Sequence, residues 1–278
     1  MMLSDISVIF ETVPPNAGTS QEKVDERVRE LLSVKDYVHG YIIPDLTKED
    51  ILHLRREKMD VRKYAACIRE VTQQAIFLNK ITVFTPLNEL IPWVVGALNS
   101  VDYITLVGRP RGYSVENLTG SSVEEAGRYL RERNIPYGCI LIPAREEEVA
   151  RVLEKSPVYM VTQIQLSPER LIEFMKKYRA KEKNPAKIFV SLNPFSSEKE
   201  LEALENLGVE VPNDIGMLPD NTIRIQEASI RRAKEVAERI LEVSSYLGLP
   251  VGFNIGHIHR NTLYPAMELA MQLYEEFR

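Results

Sequence analysis

Three observations predict an α/β fold, a (β/α)8 TIM barrel. Eight short β-branched runs lie along the chain, and most are followed by a helix-patterned stretch. Several runs are near-continuously apolar, as strands are when both faces of a parallel sheet are buried. The length, 278 residues, is close to the roughly 250 of one such domain. No linker, low-complexity tract or repeat divides the chain, so residues 1–278 are expected to form a single domain.

The first strand is expected at 5–11 (DISVIFE), followed by a helix over Gln21–Val34 with Val24, Val28, Leu31 and Leu32 at helical spacing. A second strand at 37–43 precedes a helix over Val61–Leu78, where Ala65, Ile68, Val71 and Ala75 recur in the same way. Strands three to five are expected at 80–84, 102–107 and 137–142, each followed by a helix: Leu87–Leu98, Ser122–Arg133 and Arg145–Glu154. Strands at 158–163 and 187–192 lead to helices Pro168–Tyr178 and Glu198–Leu207. An irregular stretch at 208–224 then precedes a long helix, Ile225–Leu247, the last strand at 250–255 and a final helix, Leu263–Phe277. Ser167 and Ser196-Ser197 stand before acidic first turns as hydroxyl caps, and Gly208 and Gly248 fit helix stops.

The balance is 44% hydrophobic and 27% charged, with a net charge of -5, which argues against a general nucleic-acid binder. Two cysteines, Cys67 and Cys139, cannot build a disulfide framework and fit a reducing compartment. No stretch approaches the roughly 20 apolar residues of a membrane helix, and the start has no basic, apolar leader pattern, so a cytoplasmic protein without membrane contact is expected.

In such barrels the chemistry sits at the C-terminal ends of the strands. Those ends carry Glu11; Pro44 and Asp45; Thr85; Gly108 and Arg109; Pro143 and Arg145; Gln163 and Gln165; Asn193; and Asn254, His257 and His259. The ring is polar but sparsely charged, which suits a flat hydrogen-bonding ligand better than a divalent metal. Glu11 stands out. Beside Phe10, Val13 and two prolines its carboxyl is partly dried, which raises its pKa and makes it a general acid near neutrality; the rival reading is a rim ion pair with Arg109 or Arg145. The loop Val107-Gly108-Arg109-Pro110-Arg111-Gly112 offers a close backbone approach and arginines for phosphate, or is simply a solvated turn. His257-Ile258-His259 has metal-pair spacing but few acidic partners, so no metal is expected. Neither nucleotide-binding glycine fingerprint is present.

These strand ends resemble those of the methylenetetrahydrofolate reductase family. Phe10-Glu11 before Pro14-Pro15, Phe84-Thr85-Pro86 after the third strand, Val107-Gly108-Arg109-Pro110 after the fourth and Thr162-Gln163 after the sixth follow that family's order, and the similarity thins after about residue 210. The resemblance implies an oxidoreductase of one-carbon metabolism that reduces a methylene-tetrahydropterin to the methyl form. It implies FAD, with NAD(P)H as reductant, and a reduced folate or related pterin as partner. Glu11 would be the catalytic acid. Gln163, Gln165, Asn193 and Asn254 would meet the substrate, and Tyr41, Thr85, Gly108, Arg109 and Arg145 the cofactor. Association with itself or with a partner subunit is in keeping with the family.

The departures concentrate on the flavin half. Arg109 stands where the family has an Asp, Val83 where it has a His, and Tyr41 or a neighbour where it has a Thr. Glu146, Glu147 and Glu148 would repel a pyrophosphate. A second expectation follows: a non-redox pterin-binding barrel, serving as carrier or partner subunit. A third, a metal-dependent barrel using His257, His259 and Glu11, is the least favoured.

Overall fold

Parallel pairing runs unbroken from β1 (Val8–Glu11) through β2 (Gly40–Ile43), β3 (Ala75–Ile81), β4 (Tyr103–Val107), β5 (Gly138–Leu141), β6 (Tyr159–Thr162), β7 (Lys187–Leu192) and β8 (Val251–Ile255), and returns to β1. The chain is thus a closed (β/α)8 barrel, as expected. The computed structural model describes residues 2–5, 7–46, 57–109, 118–206, 208–212, 215, 221–256 and 262–276. The helices between the strands are α1 (Gln21–Glu30), α2 (Val61–Thr72), α3 (Leu87–Ala97), α4 (Val123–Arg131), α5 (Glu148–Lys155), α6 (Glu169–Lys181), α7 (Glu198–Asn206), α8 (Thr222–Leu247) and α9 (Leu263–Glu276).

Strand side chains alternate between the barrel interior and the layer under the helices. Outward positions such as Val8, Phe10, Tyr41, Ile43, Leu78, Leu106, Val190 and Phe253 merge with the helix faces into one large core. Inward positions Ile9, Ile42, Phe77, Tyr159, Val161 and Phe189 form a separate interior cluster. Its centre is an aromatic plug. Phe77 stacks on Tyr103 at 4.6 Å between ring centres and meets Tyr159 and Phe189 edge-on at 5.4 and 5.5 Å. The Tyr159 hydroxyl, inside an apolar interior, is satisfied by Thr105 Oγ1 at 2.8 Å. The plug fills the barrel interior below its C-terminal mouth.

The third unit departs from the sequence expectation. Strand three begins at Ala75, not Lys80, and α2 ends at Thr72, not Leu78. Gln73 takes a left-handed conformation (φ 59°) and stops the helix without a glycine. Ala75–Leu78 then pair with β2. The apolar residues that continued the helical spacing are strand residues. Thr85 consequently lies in the loop after β3, not at its end. Near residue 31 the expected first helix becomes short 3-10 turns. Ser167 does not cap α6 through its backbone; its hydroxyl bonds the Glu169 carboxylate instead. Gly248 is a left-handed helix stop at φ 64°, as expected.

The N-terminal end of the barrel is latched. Lys187 Nζ donates to the carbonyls of Leu3 (3.3 Å) and Ser4 (3.1 Å). His39 Nδ1 accepts from the Val8 amide at 3.3 Å, and its ring lies against Tyr274. Burial, and then the nearby Lys187 charge, hold the His39 pKa below its ordinary value. The neutral ring is therefore the folded form. Its contribution is complete above the unfolded pKa, about 6.5, and is lost as pH falls through the lower folded value. We expect the stability advantage of the wild type over His39→Asn in chemical denaturation to shrink between pH 7 and 5; a difference that does not change with pH would remove His39 from the latch.

Candidate active site at the barrel mouth

Strand parity decides which residues reach the mouth. Ile9 is inward, so Glu11 is too; Phe189 places Ser191 and Asn193 inward; Tyr159 and Val161 place Gln163 inward. Phe253 and Ile255 are outward, which turns Asn254 in. One carboxylic acid is thereby surrounded by amides and a hydroxyl on the last three strands.

Glu11 is half-buried. Burial pushes its carboxyl up to about 7, partly offset by a hydrogen bond from the Asn254 side chain. Among the described residues no arginine or lysine charge acts on it. The rim ion pair is accordingly not formed by Arg109 or Arg145, both exposed. A carboxyl protonated about half the time at pH 7 can donate a proton there.

Asn254, 2% exposed, donates through Nδ2 to Ser191 Oγ at 3.0 Å. Ser191 Oγ in turn donates to the Thr162 carbonyl at 2.7 Å. Among the described residues the buried Oδ1 of Asn254 has no hydrogen-bond partner, and neither has Oδ1 of Asn79, which shares the inward parity of Ala75 and Phe77 on β3. Asn193 is 6% exposed, and Gly256 makes room for it: a Cβ there would come within 2.4 Å of Asn193 Oδ1. Gln165 is largely committed to its own loop, with Nε2 bonded to the carbonyls of Gln163 (2.6 Å) and Ile164 (3.2 Å). Gln163 and Gln165 border a narrow cleft with Pro143 and Arg170.

The other expected residues separate. Tyr41 is a correction: its outward side chain is wholly buried under the helices and its hydroxyl donates to the Leu31 carbonyl at 3.0 Å, away from the mouth. Thr85 is held in its loop by a backbone bond to Thr82 at 2.9 Å. Gly108 and Arg109 follow β4, and Arg145 follows β5. Of the three acids after β5, Glu148 turns inward, 2% exposed, and accepts from the Ile142 amide at 3.2 Å. It braces the loop and does not face a ligand. Asp45 likewise ties β2 to β3, pairing with Lys80 and accepting from the Ile81 amide, both at 3.3 Å; Lys80 also lies over the Trp93 ring. His257, His259 and residues 110–117 lie outside the described residues. Among the described residues no group of three metal-ligating side chains gathers, and no helix is long and apolar enough to cross a membrane.

Ser191 and Asn79 were not expected at the site. The available signal was strand parity, which points to both once each strand is placed correctly.

The fold and site define a (β/α)8 barrel with a protonatable carboxyl among amides at its C-terminal mouth. No family model and no curated sequence matches the chain. Among solved structures, it is similar to an uncharacterized protein from Clostridium thermocellum that binds two copies of 5-methyl-5,6,7,8-tetrahydrofolic acid. That likeness has a TM-score of 0.77 at 19% identity over 97% of this chain and 95% of the other. It is also similar to EDTA monooxygenase (EmoA) from Chelativorans sp. BNC1, with a TM-score of 0.58 at 11% identity over 98% of this chain and 94% of the other. At these identities the likeness shows the fold.

Proposed function

We propose that this protein binds a reduced pterin at the barrel mouth and reduces its methylene bridge to a methyl group, with Glu11 as proton donor. The observation that carries the reading is the Glu11 carboxyl, half-dry and free of a cationic partner among the described residues, with a pKa raised to about 7. Two further features support it. Among the described residues the buried Oδ1 atoms of Asn79 and Asn254 have no donors, and a pterin carries ring and amino N–H groups that can supply them. The Clostridium thermocellum barrel of the same fold binds a methyl-tetrahydrofolate.

In this reading Glu11 protonates the bridging nitrogen of the methylene-pterin. The C–N bond of the five-membered ring breaks, its electron pair stays on that nitrogen, and an iminium forms at the other. Reduction then needs a hydride, for which a nicotinamide is the donor in this reading. The protein's own part is to hold the ring with its amides, keep water from the iminium and deliver the proton.

The residues assigned to FAD do not fit it as a set, because Tyr41 faces away from the mouth and its hydroxyl is already used. No step is therefore drawn through a flavin. That same observation favours the second reading, a pterin-binding barrel without redox chemistry. Purified protein decides between them: binding of 5-methyl-tetrahydrofolate with NAD(P)H-dependent turnover of the methylene form supports the first, binding without turnover in the presence of added FAD supports the second, and no pterin binding ends both.

Gly256→Ala offers a check on the amide ring. The added Cβ must displace Asn193, and loss of one ligand hydrogen bond, about 1 kcal/mol, weakens pterin binding roughly fivefold. Unchanged affinity by calorimetry would exclude Asn193 as a ligand contact.

A further inference from the structure

Hydrogen-bond arithmetic fixes the orientation of Asn254. Ser191 has one hydroxyl hydrogen, and it goes to the Thr162 carbonyl at 2.7 Å. Ser191 Oγ can then only accept from Asn254, so the amide nitrogen must face it, at 3.0 Å. The flipped amide would set two acceptors against each other inside the barrel. The β7 backbone anchors this arrangement a second time, since the Ser191 amide donates to Thr162 Oγ1 at 2.9 Å. Asn254 stands in register with Ile9 on the neighbouring strand, two residues before Glu11 on the same inward face, so its second Nδ2 hydrogen is the one available to that carboxyl.

We propose that Thr162, Ser191 and Asn254 form a hydrogen-bonded positioning relay across β6, β7 and β8 that aims and tunes the Glu11 carboxyl. Asn254 is the inward residue beside Glu11 on the adjoining strand; Ser191 acts through it. The relay joins the two sides of the mouth, because Thr162 immediately precedes Gln163, the inward amide of β6. It operates whether or not a ligand is present, and its catalytic meaning rests on the reading of Glu11 as proton donor.

Other groups do not explain Glu11's setting among the described residues. Asp45, just after β2, is paired with Lys80. Asn79 on β3 is uncharged. Arg109 and Arg145 after β4 and β5 are exposed, and no charge effect reaches Glu11 beyond burial and Asn254.

The test is a titration of Glu11 itself in the full-length protein. Glutamate labelled with 13C at the side-chain carboxyl is incorporated, and the Glu11 resonance is assigned by its loss in Glu11→Gln. Asn254→Leu removes the donor and should shift the Glu11 midpoint upward by about one pH unit, a tenfold change in proton affinity. Ser191→Ala releases the amide and should shift it in the same direction by less. The double variant should match Asn254→Leu alone, because the two residues act in series. A purely structural Ser191 would change stability and leave the midpoint in place. An unmoved midpoint in folded Ser191→Ala, or additive shifts in the double variant, would overturn the relay. Should Asn254→Leu fail to fold, Ser191→Ala alone decides. Failure here leaves pterin binding untouched, whereas a working relay in a protein that binds no pterin would sink only the functional reading.

Discussion

Glu11→Gln should lower turnover of a methylene-tetrahydropterin by about 10² to 10⁴, the usual contribution of a positioned general acid, while pterin affinity changes little. An amide keeps the shape and hydrogen-bonding capacity of the side chain but has no acidic proton to give. The same variant should be more stable than the wild type at pH 8. Glu11's folded pKa, about 7, lies above its ordinary value of 4.5. Its neutral form is therefore the one the fold favours. That contribution is complete below about 4.5 and lost as pH rises through about 7. Removing the charge recovers at most about 3 kcal/mol, less in proportion to the water that reaches a half-buried carboxyl. Activity and stability thus move in opposite directions, as is common where a site holds a strained charge. Loss of activity with an equal loss of stability at pH 8 would point to a structural Glu11. Unchanged turnover would remove it from the mechanism.

Phe77→Ala should have the largest effect on stability, about 3–5 kcal/mol. Phe77 is fully buried at the centre of the plug, where it contacts the rings of Tyr103, Tyr159 and Phe189. Truncation leaves a cavity that three separate strands cannot close without bending the barrel. The loss also exposes the Thr105–Tyr159 hydrogen bond to a looser interior. Chemical denaturation checks this directly. A midpoint within error of wild type would mean the inner cluster carries little of the fold's stability and that the helix-facing layer alone specifies closure.

Most of the barrel was legible in the sequence because buried parallel strands are apolar on both faces and their helices are not. β7 shows this best: Lys187–Leu192 is buried throughout, and its bounds agree with expectation. Glu11 was legible for a related reason. An apolar run that ends in a carboxylate before two prolines places that carboxylate at a strand end. The third unit was misread because Val71 and Ala75 continue a helical spacing past the true stop at Gln73, where no glycine marks the left-handed turn. That shift misplaced Thr85 and hid Asn79. Tyr41 was assigned to the mouth by resemblance, but the inward neighbour on its strand is Ile42, so parity sends the tyrosine outward. Ser191 went unnoticed because parity alone marks a small hydroxyl residue inside an apolar strand, and its residue type adds nothing to that. Only the partner amide on β8 gives it a role.

The most direct test is a crystal structure with 5-methyl-tetrahydrofolate bound. The account predicts the pterin ring lying across the C-terminal mouth, a ring nitrogen within hydrogen-bond distance of the Glu11 carboxyl, and N–H groups of the ring meeting Oδ1 of Asn254. A pterin held elsewhere on the molecule, or one at the mouth with Glu11 turned away from every ring nitrogen, would contradict it.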